Sequence, residues 1–267
     1  METGQQFLMP KENKIIQPKD LSIHYFVNGF SFCTHSKIDF IPTPKGASDF
    51  KKALEDFFDY YPKETFLSYS LLFYQNPSVF VPEKFFDDSR AKEYLELFKK
   101  TDETDAIAYD SVDVEENQIN LYTFPKEIKE VLTQSNRSFR TTHYNTLLLR
   151  KIQSKAPSTS PFDHQLFIHI QNNAMDVFLR NKSTLLFHNR FPITTDDEFL
   201  YYLFFVVEQF DLKTDDFELI FMGKIIEFDS FYKAASRYHD HCTFMSETNQ
   251  NPDLATHQAP FLASYFC

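Results

Sequence analysis

Apolar and polar positions alternate from Leu21 to Val27 closely enough to predict a strand. Asn28-Gly29 has the composition of a two-residue hairpin turn, and Phe30 to Thr34 return as the second strand. A third strand is expected near Lys37 to Ile41, after which Pro42, Pro44 and Gly46 break the chain. Ser48 can then cap a helix whose apolar positions Phe50, Leu54, Phe57, Phe58 and Tyr61 fall at helical spacing, so the period changes from two to 3.6. That helix should lie against the sheet.

The same succession returns further along. Strands are predicted at Gln165 to Gln171, Met175 to Asn181 and Ser183 to Phe191, followed by a capping box at Thr195-Asp196-Asp197-Glu198. The helix it opens has Phe199, Leu203, Val206, Val207 and Phe210 as its buried stripe. Phe217 to Met222 reads as a short buried strand, and Phe228 to His239 as a helix with Phe231, Ala234, Ala235 and Tyr238 inward. At a fixed offset of 145 positions, Leu21, Ile23, His24, Asn28 and Lys37 meet Leu166, Ile168, His169, Asn173 and Lys182 without a gap. The chain is therefore expected to hold two related halves facing each other across a cleft.

The first half carries more than the second. Strands are predicted at Phe66 to Tyr74 and Ser78 to Val81, with a helix near Ser89 to Lys99. A hairpin of Ala106 to Val114 and Gln118 to Phe124 follows, around a Glu115-Glu116-Asn117 turn, and Pro125 suits the first turn of the next helix. These elements read as an inserted subdomain. Phe139 to Thr142 and Tyr144 to Ile152 would be a last strand and a helix leaving the first half, and Lys155 to Pro161 has linker composition. The expected division is 18–154 for the first half with its insertion, 155–162 for the linker, 163–244 for the second half and 245–267 for a polar tail. In that tail Phe261, Leu262, Tyr265 and Phe266 could dock on a surface.

Composition narrows the picture. The 267 residues are 42% apolar, ample for buried cores, and the skew towards 32 Phe and 14 Tyr with no Trp suits rings that fill sheet–helix interfaces. A formal charge of −11 repels a phosphate backbone, so nucleic acid is not an expected partner. Cys33, Cys242 and Cys267 have no metal-type spacing and suggest no disulfide framework. Met1 to Gln17 lack the apolar core of a signal peptide, and the run Leu200 to Val207 is too short to span a bilayer. A soluble, cytoplasmic protein is expected.

Two halves of three strands, helix, strand and helix, with a small insertion in the first, resemble the actin-like ATPase superfamily, built on duplicated ribonuclease-H-like domains. More narrowly, Val79-Phe80-Val81-Pro82-Glu83-Lys84-Phe85-Phe86 and the stretch from Phe199 to Gly223 are similar to a Bacteroidetes family, the domain of unknown function numbered three-eight-two-two. The resemblance covers roughly Leu21 to Cys242 and implies an α/β fold of two ribonuclease-H-like halves. It also implies relatives that recruit other proteins, among them a cell-division actin homologue and a cytoplasmic component of pilus assembly.

Active members of that superfamily carry, between the first two strands of each half, an Asp followed by small residues that approach the phosphates and organise magnesium. Here the turns read Val27-Asn28-Gly29-Phe30-Ser31 and Gln171-Asn172-Asn173-Ala174-Met175, with no carboxylate. The adenosine end of such a site has paired glycines, whereas this chain offers Phe221-Met222-Gly223-Lys224-Ile225. The candidate nucleotide-binding residues are thus Asn28, Gly29, Asn173, Gly223 and Lys224, with no catalytic and no metal residue assigned. A nuclease would need carboxylates on the first strand of each half, and Leu21 to Val27 and Leu166 to Gln171 contain none.

His24 and His169 hold equivalent strand positions, which reads as an equivalent packing or hydrogen-bonding need. His239-Asp240-His241-Cys242 has ligand-type residues at a spacing that suits a helix end better than zinc. The leading expectation is a non-catalytic scaffold or interaction protein with a degenerate nucleotide site, no cofactor, and a protein partner. A divergent Mg-ATP-binding protein or ATPase using the cleft is the alternative, and a homodimer through sheet edges or the tail a further one.

Overall fold

The computed structural model describes residues 19–26, 29–34, 37–42, 47–61, 66–74, 76–98, 100–112, 117–155, 160–171, 173–223 and 229–245. Two five-stranded sheets share one plan. The first is made of β1 (Lys19–Phe26), β2 (Gly29–Thr34), β3 (Lys37–Pro42), β4 (Phe66–Phe73) and β8 (Phe139–His143), in the order β3-β2-β1-β4-β8. The second is made of β9 (His164–Gln171), β10 (Ala174–Asn181), β11 (Thr184–Pro192), β12 (Phe217–Met222) and β13 (Cys242–Phe244), in the order β11-β10-β9-β12-β13. In each, the first three strands form an antiparallel meander and the last two add in parallel. The insertion is a third, antiparallel sheet of β5 (Ser78–Pro82), β6 (Asp105–Val112) and β7 (Gln118–Pro125), in the order β5-β7-β6.

Helices α1 (Ala47–Tyr60) and α3 (Lys126–Gln134) close the first core, where Phe50, Leu54, Ile128 and Leu132 meet Leu21, Ile23, Phe30, Leu71 and Phe73. Helices α5 (Asp196–Gln209) and α6 (Asp229–Ala235) close the second, where Phe199, Leu203 and Tyr232 meet Leu166, Ile168, Val177 and Phe221. The opposite faces of both sheets are also buried. They sandwich α4 (Tyr144–Lys155), whose Leu148, Leu149 and Ile152 touch no solvent, in a core shared with Phe26 and Leu72 on one side and Phe167, Phe178, Ile220 and Met222 on the other. Covered on both faces, β9, β10 and β12 are buried almost end to end, polar residues included.

Five expectations shift. The first hairpin pairs Phe26 with Gly29, so Gly29 already belongs to the strand. The polar helix near Ser89 to Lys99 is shorter, α2 (Ala91–Glu96) preceded by a 3-10 turn at Asp88–Arg90. Helix α6 ends at Ala235, so Tyr238 leaves the helical phase and faces solvent while Tyr232 is buried instead. A strand that the pattern does not predict, Cys242–Phe244, pairs in parallel with Leu219–Phe221 and completes the second sheet. Pro125 ends β7 and caps α3 rather than entering its first turn. The Glu115-Glu116 turn, Lys224, Asn28, Phe228 and the segment from Ser246 onwards lie outside the described residues.

Candidate functional site

The resemblance places a nucleotide between the two halves, beside the β1–β2 and β9–β10 turns. Even-numbered residues of β1 point there: Ser22, His24 and Phe26 are all buried, and Ser31 lies directly across from His24 on β2. Tyr74 extends β4 by one rung, its amide donating to the Tyr25 carbonyl at 3.1 Å. The Phe26, Tyr74 and Tyr144 rings stack in sequence, with centroids 4.5 and 4.2 Å apart and planes 28° and 23° from parallel. An imidazole closes each flank. His24 Nδ1 is 3.2 Å from the Tyr74 hydroxyl and its Nε2 is 3.1 Å from Ser22 Oγ; His169 Nε2 is 3.1 Å from the Tyr144 hydroxyl. His24, Tyr74, Tyr144 and His169 have no solvent-accessible surface and Phe26 keeps 4%, so the rings are in direct contact with no intervening solvent.

Tyr144 is the first residue of α4, and its place is fixed by the way that helix begins. Asp110 Oδ2 on β6 accepts from the His143 amide at 2.8 Å and from Thr146 Oγ1 at 2.6 Å. His143 Nδ1 accepts from the Asn145 amide at 3.0 Å, and its Nε2 donates to the Asn76 carbonyl at 2.9 Å, which sets the neutral tautomer. Asn120 on β7 donates to Thr146, while Asn145 reaches Ser78 on β5 and His188 on β11. The insertion thus ties the first turn of α4 to both halves, and the tie aims Tyr144 at His169.

The second half adds charge. Asp176, the residue across from His169 on β10, is fully buried and accepts from Arg190 at 2.9 Å and from Gln171 at 3.2 Å. Burial pushes its carboxyl up, but the Arg190 guanidinium, with His169 beside it, prevails and holds it at about 2. Burial lowers His24 and His143 to about 3 and moves His169 in the same direction against the opposing pull of Asp176. These imidazoles are therefore neutral near neutral pH, and the Arg190 cation is already engaged by a carboxylate.

The candidate residues fall at the margins of this assembly. Gly29 is buried across from Phe26. Asn173 is exposed with φ 60°, the left-handed geometry a tight hairpin asks of Asn, and its carbonyl accepts from the Ile193 amide at 3.1 Å. Gly223 has φ +105° and lies over His169, where an added Cβ would sit 3.5 Å from the imidazole Cδ2. The backbone bared by Gly223 is thus covered by an imidazole of the same chain. The rings of Phe26, Tyr74, Tyr144 and His169 fill the path from Gly29 to Gly223. Asn28 and Lys224 lie outside the described residues.

The repeat pointed to His24 and His169, whereas nothing in the sequence marked Tyr74, Tyr144, Asp176 or Arg190. Surface depressions of about 20 and 730 Å³ occur on the insertion and at the start of β4 and β8, and neither is lined by a ring of the column. His239 stacks on Phe217 at 4.1 Å, and its carbonyl accepts from Cys242 Sγ. Among the described residues, no group of three His, Cys, Asp or Glu side chains could hold a metal ion, and no helix is long and apolar enough to cross a membrane.

Two ribonuclease-H-like sheets of identical strand order around a shared interlobe helix define an actin-like ATPase fold. The chain belongs to the DUF3822 family of proteins of unknown function, whose model matches residues 10–242. A Bacteroides thetaiotaomicron protein with an actin-like ATPase fold and unknown function superposes with a TM-score of 0.71 at 16% identity, covering 88% of this chain and 93% of that one. The PilM–PilN type IV pilus biogenesis complex contains a chain that superposes with a TM-score of 0.55 at 10% identity, over 93% of this chain and 97% of that one. No curated protein matches this chain in sequence.

Proposed function

We propose that this chain is a non-catalytic scaffold on an actin-like fold, which acts through protein contacts and whose nucleotide cleft is filled by its own side chains. The observation that carries the reading is the column Phe26–Tyr74–Tyr144, closed on its flanks by His24 and His169. A triphosphate needs backbone amides, a cation and water within reach. The same place here holds stacked rings and neutral imidazoles, and its one buried carboxylate is spent on Arg190. A protein of the same fold occurs in a PilM–PilN complex, which agrees with a role in assembly. The reading extends to a cytoplasmic location and a protein partner rather than nucleic acid, given the charge of −11.

Thermal melting with and without millimolar Mg-ATP tests it. A ligand at about 100 times its Kd stabilises by about 2.7 kcal/mol, which is several degrees in a chain of this size. The expected result is an unchanged melting temperature. A reproducible rise of several degrees would overturn the scaffold reading in favour of a divergent ATP-binding protein.

A further inference from the structure

The scaffold reading leaves open where a partner would sit, and α5 offers a surface for one. The helix contains an unbroken apolar and aromatic run from Phe199 to Val207, the pattern of a helix buried all round. Among the described residues, only one side of it is covered. Phe199, Leu203 and Val206 are buried against the second sheet, while Tyr201 is 64% and Phe205 41% exposed, one turn apart with their rings stacked. Phe204 carries the patch across to Tyr238, which is 62% exposed beyond the end of α6. Contiguous exposed aromatic surface of this kind marks an interaction site more often than isolated apolar residues do.

The rim identifies the occupant. Asp197 lies one turn before Tyr201 and Glu208 one turn after Phe205 on the same face, and both are exposed. Asp196, Asp211, Asp215 and Asp216 extend the acidic border at both ends of the helix, against Lys213 alone within that stretch. A second copy of this face would bring Asp197 and Glu208 against like charges. The segment 246–267 contains neither Lys nor Arg to answer them, and an anionic lipid surface would be repelled.

We infer that the exposed face of α5, through Tyr201 and Phe205, docks an amphipathic helix of another protein whose apolar side carries Leu or aromatic residues and whose flanks carry Lys or Arg. The rings supply the buried anchors and the acidic rim supplies steering and register. The inference rests on the scaffold reading.

The test uses the full chain and a labelled helical peptide with Leu at three-and-four spacing and Lys on its flanks, beside the same peptide with Glu in place of Lys. Fluorescence anisotropy should show binding of the Lys peptide, weakened by raising salt from about 50 mM to about 500 mM. The double variant Y201S/F205S should lose roughly tenfold or more in affinity while melting as the parent does. The variant F85S/L97S, which removes exposed apolar side chains on the insertion, should bind as the parent does.

The proposal is overturned if the Lys peptide does not bind, if Y201S/F205S binds it equally, or if the Glu peptide binds as well. Two other occupants would also overturn it. One is a dimer seen by light scattering that Y201S/F205S dissolves, and the other is peptide binding that appears only after F261S/F266S. Tyr201 and Phe205 lie on the opposite side of the second sheet from the interlobe column. A failed peptide experiment with no Mg-ATP shift therefore removes only the docking surface, whereas an Mg-ATP shift removes the scaffold reading itself.

Discussion

Acidification to about pH 5 should destabilise this molecule through imidazoles buried at its centre. His24 and His143 have no solvent-accessible surface, and burial holds each at about 3 against an ordinary 6.5. Because the folded value is the lower one, the unfolded chain takes up protons first. Stability is complete above the ordinary value, falls as pH drops through it, and stops falling only near 3. Each group changes stability by about 1.36 kcal/mol per pH unit in that window, so each costs about 2 kcal/mol at pH 5 and the pair about 4. A domain has about 5–15 kcal/mol in total. His169 is displaced in the same direction, again by burial, and adds to the loss. Asp176 does not contribute in this window, since its stabilisation is present above the ordinary 3.8 and disappears as pH falls towards 2.

Urea unfolding followed by circular dichroism across this range measures the effect. The substitution His24→Gln should weaken the fold at neutral pH by removing the contacts to Tyr74 and Ser22, yet should abolish about half of the loss assigned to the pair between pH 7 and pH 5. Retention of the full pH dependence by H24Q, or an unchanged wild-type stability at pH 5, would show that burial does not hold His24 neutral and would refute the reasoning.

Removing the Arg190 guanidinium leaves the Asp176 carboxylate buried without its cation, so Arg190→Ala should cost about 3–5 kcal/mol and lower the melting temperature by roughly 10 °C. Replacing both partners, as in D176N/R190M, should recover most of that loss in the same melt. Tyr144→Phe keeps the stack but withdraws the hydroxyl from His169, for about 1–3 kcal/mol by denaturant titration, and Tyr144→Ala should cost about 3–5 by opening a cavity among the rings. At Gly223 the added methyl has room but the φ of +105° does not suit an L side chain, so Gly223→Ala should cost about 1–3 kcal/mol in chemical unfolding.

What could be read from the sequence followed the range of the interactions involved. The capping box at Thr195 is self-contained: the hydroxyl accepts from the Glu198 amide at 3.2 Å and Glu198 reaches back to the Thr195 amide, all within four consecutive positions. The repeat of His24 as His169 was equally legible, because equivalent strands of a duplicated sheet keep equivalent faces. The hairpin slipped by one position because Asn-Gly composition outweighed the alternation of Phe26 and Gly29, which decides the ladder. Strand β13 was missed since three residues carry no period of their own and are fixed by pairing with Leu219 to Phe221, more than twenty positions away. Tyr74 and Tyr144 were invisible for the same reason, as each meets its imidazole from another element.

The duplication also explains why the two halves no longer do the same thing at their shared face. At the common offset, Ser31 opposite His24 corresponds to Asp176 opposite His169, and Phe26 corresponds to Gln171. The first half therefore meets the interface with rings and a hydroxyl, and the second meets it with an ion pair whose polar neighbours orient His169. An actin-like machine that opened and closed about nucleotide would have to part these surfaces. Exposing Phe26, Tyr74 and Tyr144 costs up to about 1.5–3 kcal/mol per ring, about 5–9 in all, before the Tyr144–His169 hydrogen bond is counted. That sum lies within the range of a whole domain's stability. On the scaffold reading proposed above, the interlobe contact is a joint set by folding rather than a gate worked by a ligand, and the surfaces left for a partner are those facing outward.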